Sequence, residues 1–295
     1  MIVSLAVFFL IVATSFAWSG LDAVRKLLAR RIETMPLVAL LTLGQIPIFL
    51  FWAMLSGQYR VHPGYWAPGL AAVLINIAAN LMFVSALKIS PFSLTIPFLA
   101  LTPIYVALLA IPLLGEYPTA LQIAGILVAV FGALNLNLAA YEGVSFSKMG
   151  QAFWRERGSV LMTGVALLWS INSSLDKLAV AQASVPFHAF VQVLGIFLGL
   201  MIVLVPRAPW QQLRLARQNA GLLLAAIIFC AVALALELTV IQKAPLRVVA
   251  IIKRVVELNL AVAIGYFIFK EKITVRKAFA LGLMAMGIVA TLWAD

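Results

Sequence analysis

The stretch Phe16–Leu27, FAWSGLDAVRKL, returns 151 residues later as Leu167–Leu178, LLWSINSSLDKL. Trp18-Ser19 becomes Trp169-Ser170, and Lys26-Leu27 becomes Lys177-Leu178. Gly44 returns as Gly195 at the same spacing. Further on, Lys88, Glu116 and Gly132 return as Lys243, Glu271 and Gly287, now 155 residues apart. The longer basic loop Arg207–Asn219 absorbs the four-residue difference between the two spacings. Matched leucines and glycines come cheaply in an apolar chain, whereas Trp-Ser, Lys and Glu recurring at constant spacing do not. Such self-similarity marks an internal duplication. Residues 1–140 are read as the first repeat, 141–158 as a polar connector and 159–295 as the second repeat.

Composition says where such a chain resides. Of its 295 residues, 64% are hydrophobic and 11% charged, with a mean hydropathy of +1.10. Soluble domains carry roughly a quarter charged residues, so a water-exposed surface cannot be assembled here. The net charge of +11 does not point to nucleic acid, because the basic residues sit between apolar runs rather than in one block. Cys230 is the single cysteine and the two histidines lack metal-ligand spacing, so no cofactor or metal set is expected. Met1 leads straight into an apolar run with no basic leader, which reads as a retained first span rather than a cleaved signal peptide.

A span needs about 20 mostly apolar residues, and the charges mark off ten such segments. These are Val3–Leu27, Pro36–Leu55, Ala67–Leu87, Ser90–Leu114, Thr119–Ala140, Val160–Val180, Val185–Val205, Ala220–Ile241, Pro245–Phe269 and Val275–Trp293. The runs are continuous, not alternating, which predicts helices rather than a barrel. The fold expected is therefore an all-α integral membrane protein of ten transmembrane helices. Five spans per repeat is an odd number, so the second repeat crosses the bilayer in the opposite sense. Inverted repeats of this kind place a binding site near the midplane of transporters. The loops after odd-numbered spans receive fifteen Lys and Arg, and the opposite face only Arg60, Lys243 and Arg247. The positive-inside rule then puts the odd-span loops in the cytoplasm and both termini outside.

The motif Leu114-Gly115-Glu116, Pro118, Gln122, Gly125, Gly132 and its second copy Phe269-Lys270-Glu271-Lys272-Ile273, Gly282, Gly287 resemble the EamA-type members of the drug/metabolite transporter superfamily. Trp18 and Trp169, each followed by a lysine, are similar to that family's first-span pattern. The resemblance covers the whole chain. It implies a small-molecule transporter of the bacterial inner membrane, with a lipid bilayer around it, as a monomer or homodimer.

Ionisable residues inside spans are costly and are functional candidates by default. Span 9 holds the densest group: Lys253, Arg254 and Glu257, with Lys253 and Glu257 four apart on one helix face. Glu237 lies in the preceding span. The first repeat has Phe98, Leu99 and Thr102 at the positions of Lys253, Arg254 and Glu257, so the charges belong to one repeat only. The plainer reading is that the four charges, which sum to zero, brace two helices. The functional one is that they face a solvated substrate cavity, with Glu257 or Glu237 carrying a coupling proton.

Trp169 with Asn172, three apart in span 6, and Trp18, the mirrored partner, are candidate cavity residues; interfacial anchoring is the alternative for the tryptophans. Asn76 and Asn80 in span 3 lie four apart, as do His188 and Gln192 in span 7. The asparagines and Gln192 are read as polar contacts for substrate, and His188 as structural. Asp176 and Lys177 are read as ending span 6 at the interface. Tyr105 is a candidate cavity hydroxyl. Pro97 and Pro103 open or kink span 4. Gly195-x-x-x-Gly199 and Gly125-x-x-x-Ala129 permit close helix packing.

The function expected is an exporter or exchanger of small polar or zwitterionic metabolites such as amino acids, working by alternating access. A flippase for a lipid-linked head group shares the same signals. A membrane-embedded enzyme would need a nucleophile, carboxylate pair or metal set that the sequence does not offer, and a non-transporting partner would not need two complementary repeats.

Overall fold

The computed structural model describes residues 4–57, 61–102, 104–106, 108–109, 119–121, 123–125, 127–128, 131–132, 135, 154–204, 210–244, 246–271 and 274–292. Arg60, Pro103, Leu114, Gly115, Glu116, Pro118, Gln122, Ala129, Arg207, Lys272 and Ile273 lie outside that set, as does most of the 141–158 connector. Among the described residues the regular structure is helical, without a strand.

The helices are α1 (Leu5–Ala29), α2 (Thr34–Ser56) and α3 (Trp66–Ile89), the last preceded by a 3-10 turn, Pro63–Tyr65. Then come α4 (Phe92–Thr95), running into a 3-10 segment Ile96–Leu101, α5 (Arg157–Val180) and α6 (Val185–Leu204). A short α7 (Trp210–Gln218) leads to α8 (Ala220–Lys243), α9 (Leu246–Phe267) and α10 (Val275–Leu292). Six segments are long and apolar enough to cross a membrane: α1, α2, Pro63–Ile89, Arg157–Gln182, α6 and α8. These match six of the expected spans to within a few residues at each end. α7 was not expected; it lies in the basic loop, where the sequence has no long apolar run.

The ends of these helices follow local chemistry. Ser4 caps α1, its hydroxyl accepting from the Val7 N–H at 3.4 Å. α2 stops at Gly57, whose φ of +61° is the left-handed turn that glycine makes without strain. Within the apolar runs the hydroxyls of Thr14 and Ser15 bond back to the carbonyls of Leu10 and Ile11, so neither meets lipid unsatisfied. Span 4 tightens from α to 3-10 at Pro97, whose missing N–H removes a rung of the α ladder.

Contacts divide the chain into two compact units. The first comprises Met1–Val84 with Asn172–Leu246, the second Ser85–Ile171 with Arg247–Asp295. Each therefore draws on both sequence repeats. In the first unit α1 packs on α8 and α2 on α6, and α8 also touches α2 and α6. Without a hydrophobic drive between helices in lipid, close backbone approach supplies the packing. A side chain at Gly195 would lie 2.8 Å from Val73, and one at Gly199 2.6 Å from Ile77. The expected Gly-x-x-x-Gly contact is thus the seat of α6 on α3.

The second unit is pinned at one point by Glu271. Lys270 sits in the left-handed region with φ +55°, unusual for a side-chain-bearing residue. That turn sends the Glu271 N–H to the Gly265 carbonyl at 2.9 Å and aims its carboxylate at the start of α4. There the Phe92 and Ser93 N–H groups each donate to it at 2.7 Å. Lys277 Nζ donates to Ser93 Oγ at 3.3 Å beside them. A carboxylate on free N–H groups at a helix start is favoured by both hydrogen bonding and the helix dipole. The repeated glutamate of the motif is, at this copy, a helix cap. Glu271→Ala should lower thermal stability in detergent by about 1–3 kcal/mol, whereas Lys270→Gly, which relieves the left-handed turn, should leave it unchanged or raise it.

Candidate functional site

Of the span 9 charges, Arg254 and Glu257 are buried in α9 of the second unit. Glu257 pairs with Arg254 one turn earlier, and with Lys253 at 4.0 Å. Both partners are on its own helix, so these pairs tie no two helices together. Arg254, Glu257 and Leu258 face Ile96, Pro97, Leu99 and Ala100 across a narrow cleft of about 10 Å³, room for about one water. The charged face of one repeat thus looks onto the broken, apolar helix of the other, within one unit. A discontinuous helix opposite intramembrane charge is how transporter sites are commonly built. Just past the 3-10 segment, Ser170 donates to the Thr102 carbonyl at 3.1 Å.

Glu237 has a further partner on α1. It lies in α8 of the first unit, where Trp18 Nε1 donates to its Oε2 at 3.0 Å. Trp18 also bears a cation: the Arg25 guanidinium carbon is 6.0 Å from its ring centre and 5.5 Å from that of Phe83. Arg25 and Lys26 were counted with the first loop, but both are buried inside α1. The imbalance of basic residues between the two faces persists without them.

From Arg25 a chain of hydrogen bonds runs along the first unit. Arg25 Nη2 donates to Asn80 Oδ1 at 3.3 Å and to Cys230 Sγ at 3.6 Å, and Asp22 lies 3.9 Å from the guanidinium. Asn80 Nδ2 donates to the Asn76 carbonyl at 2.9 Å, and Asn76 Nδ2 to Gln192 Oε1 at 3.3 Å. Gln192 Nε2 donates to Asp176 Oδ1. Asp176 also takes Asn172 Nδ2 at 2.6 Å, and His188 Nε2 at 3.0 Å. His188 Nδ1 meets the Tyr65 hydroxyl at 3.0 Å. Four of the predicted residues, Asn76, Asn80, Asn172 and Gln192, are therefore brought together, by a centre the sequence reading passed over.

Asp176, read from sequence as ending span 6, is a buried carboxylate one turn before the end of α5. Two clues could have found it. Asn172 and Asp176 are four apart, as are His188 and Gln192, and both pairs lie about equally far from the short turn at 181–184. Two antiparallel helices joined there must bring those pairs to one depth. Trp169 is half-buried in the second unit, across the unit boundary from Asn172 on the same helix, and Tyr105 is half-buried in the second unit.

Among the described residues, helices long and apolar enough to span a bilayer, with charge buried between them, define a multi-pass membrane protein. The EamA-like transporter family model matches twice, over residues 5–138 and 156–293, and the chain belongs to that family. The two matches reproduce the internal duplication, and the family is one of transporters rather than enzymes. A solved structure titled "Crystal structure of protein" is similar in fold, with a TM-score of 0.66 at 15% identity over 98% of this chain and 99% of that one. Among curated proteins, none matches.

The Asn76–Gln192 bond joins α3 to α6 inside the membrane. A double-mutant cycle with Asn76→Ala and Gln192→Ala, read by unfolding in detergent, should give a coupling of about 0.6–1.7 kcal/mol. Each single variant should lose more than that, because it strands a buried partner.

Proposed function

We propose that the chain is a ten-span exporter or exchanger of small polar or zwitterionic organic metabolites, amino acids and their relatives among them, working by alternating access. Its place would be the bacterial inner membrane, with the basic odd-span loops in the cytoplasm and the termini outside. The observation that carries this reading is the cleft between α9 and the 3-10 segment Ile96–Leu101, lined by Arg254 and Glu257.

Family membership supports transport, and the cleft supports the substrate class. An arriving carboxylate would compete with Glu257 for Arg254, and an arriving ammonium would compete with the two cations for Glu257. A zwitterion satisfies both at once, replacing an internal ion pair with an equivalent one. That exchange avoids the cost of stranding a charge in a low-dielectric interior. Trp18, Glu237, Asn76, Asn80, Asn172, Trp169, Tyr105 and Gln192 complete the proposed set of polar contacts around the transport path.

Uptake and thermal-shift measurements on purified protein should respond to amino acids more than to amines, organic anions or nucleobases. Lys253→Ala and Glu257→Ala should each reduce transport at least tenfold at normal expression. Undiminished transport by both variants would sink this assignment.

A further inference from the structure

We propose that Asp176 and His188 form a proton-binding site in the first unit, one that gains and loses a single proton while its heavy atoms hold their positions. The site stands on its own geometry; that its proton drives substrate movement rests on the transport reading above.

His188 Nε2 lies 3.0 Å from Asp176 Oδ1 and 3.1 Å from Gln192 Nε2, and Nδ1 lies 3.0 Å from the Tyr65 hydroxyl, so either ring nitrogen can carry the proton. The proposed cycle starts from the Nε2–H form, in which Asp176 accepts from Asn172, His188 and Gln192 and Nδ1 accepts from the Tyr65 hydroxyl. An incoming proton binds Nδ1. The new Nδ1–H then donates to Tyr65 Oη, whose own O–H rotates away, and the bond to Asp176 becomes an ion pair. Release reverses the step and returns the proton to water.

The proton can also cross the Nε2–Oδ1 contact: it then sits on Asp176 Oδ1 and donates back to His188 Nε2, while Oδ2 keeps the Asn172 N–H. The carboxylate thereby keeps a hydrogen-bond partner on each oxygen in both states, which is the requirement for a buried polar group. An alkali cation does not fit, because three N–H donors already point at the carboxylate.

The surroundings hold the charge without neutralising it. His188 and Tyr65 are fully buried, and Asp176 nearly so. Tyr65 packs edge-on against the His188 and Phe187 rings at 5.7 and 5.4 Å and touches Ala179 and Ala183, which fixes the imidazole plane. Glu237 of α8 acts on Asp176 through space. Lys177, the next residue, donates instead to the Ala244 carbonyl at 3.3 Å. From α1, Arg25 reaches the site only through Asn80, Asn76 and Gln192, with Asp22 and Cys230 beside it. His188 lies three residues into α6, about 4.5 Å from its start, and the exposed His62 is just before the Tyr65 turn.

The chain has two histidines, His62 and His188, so a ¹⁵N-histidine label on the full-length protein gives two sets of ring signals. In a scan over about pH 5–8, the His188 nitrogens should report uptake of one proton by the ring as the pH falls. Asp176→Asn should displace the His188 curve by at least one pH unit and leave that of His62 in place, because the two groups share one coupled titration. Tyr65→Phe, the milder change, should also displace it. A His188 ring fixed in one state across that range overturns the proposal, as does a curve that neither variant moves. A curve that moves as stated supports the site whether or not transport is seen. Substrate movement indifferent to an imposed pH gradient overturns the coupling alone.

Discussion

Inside a bilayer a buried polar group has no water to fall back on, and this constraint orders the first unit. Asp176 is the group most exposed to it. Its carboxylate collects three N–H donors from α5 and α6, and each donor is held by a further partner or by its own helix. Remove that centre and Gln192 loses its acceptor, Asn76 loses its reason to face α6, and the seat of α6 on α3 rests on glycine packing alone. The helices are placed by apolar length, but their rotations about their own axes are set by where this carboxylate must find its donors.

The two repeats share a framework and differ in charge. Arg25 and Asp176 occupy equivalent positions, 151 residues apart, with opposite sign. One ends the hydrogen-bond chain as its cation and the other as its anion, with neutral amides between them. In the second unit the asymmetry is of another kind, since α9 is charged where the 3-10 segment is apolar. Duplication supplied matching shells, and the polar residues that distinguish the copies now meet inside each unit.

The helices were legible because lipid demands long apolar runs and because charges cannot hide within them. The α9 group was legible for the same reason, its members three and four residues apart on one helix. Glu237 stood out as a charge within a span, but the indole that donates to it, Trp18, is 219 residues away, a distance no local pattern encodes. Asp176 and His188 were passed over because nearness to a span end reads as nearness to water. A helix end packed against aromatic rings is not wet, and Tyr65 is what makes the difference here. The cap at Glu271 was visible as a repeated motif, but its role needed the fold, since the amides it serves precede it by 179 and 178 residues.

That last separation has a bearing on how the chain is made. At a synthesis rate of about 5–20 residues per second, roughly 10–35 s pass between the appearance of Phe92 and that of Glu271. Throughout that interval the beginning of the fourth span has open amides and no acceptor from its eventual partner. The segment can enter the membrane on its hydrophobicity, but it cannot settle its final start. The broken helix beside the charged one is therefore among the last parts of the protein to be completed, and a chain truncated before residue 271 lacks the group that finishes it.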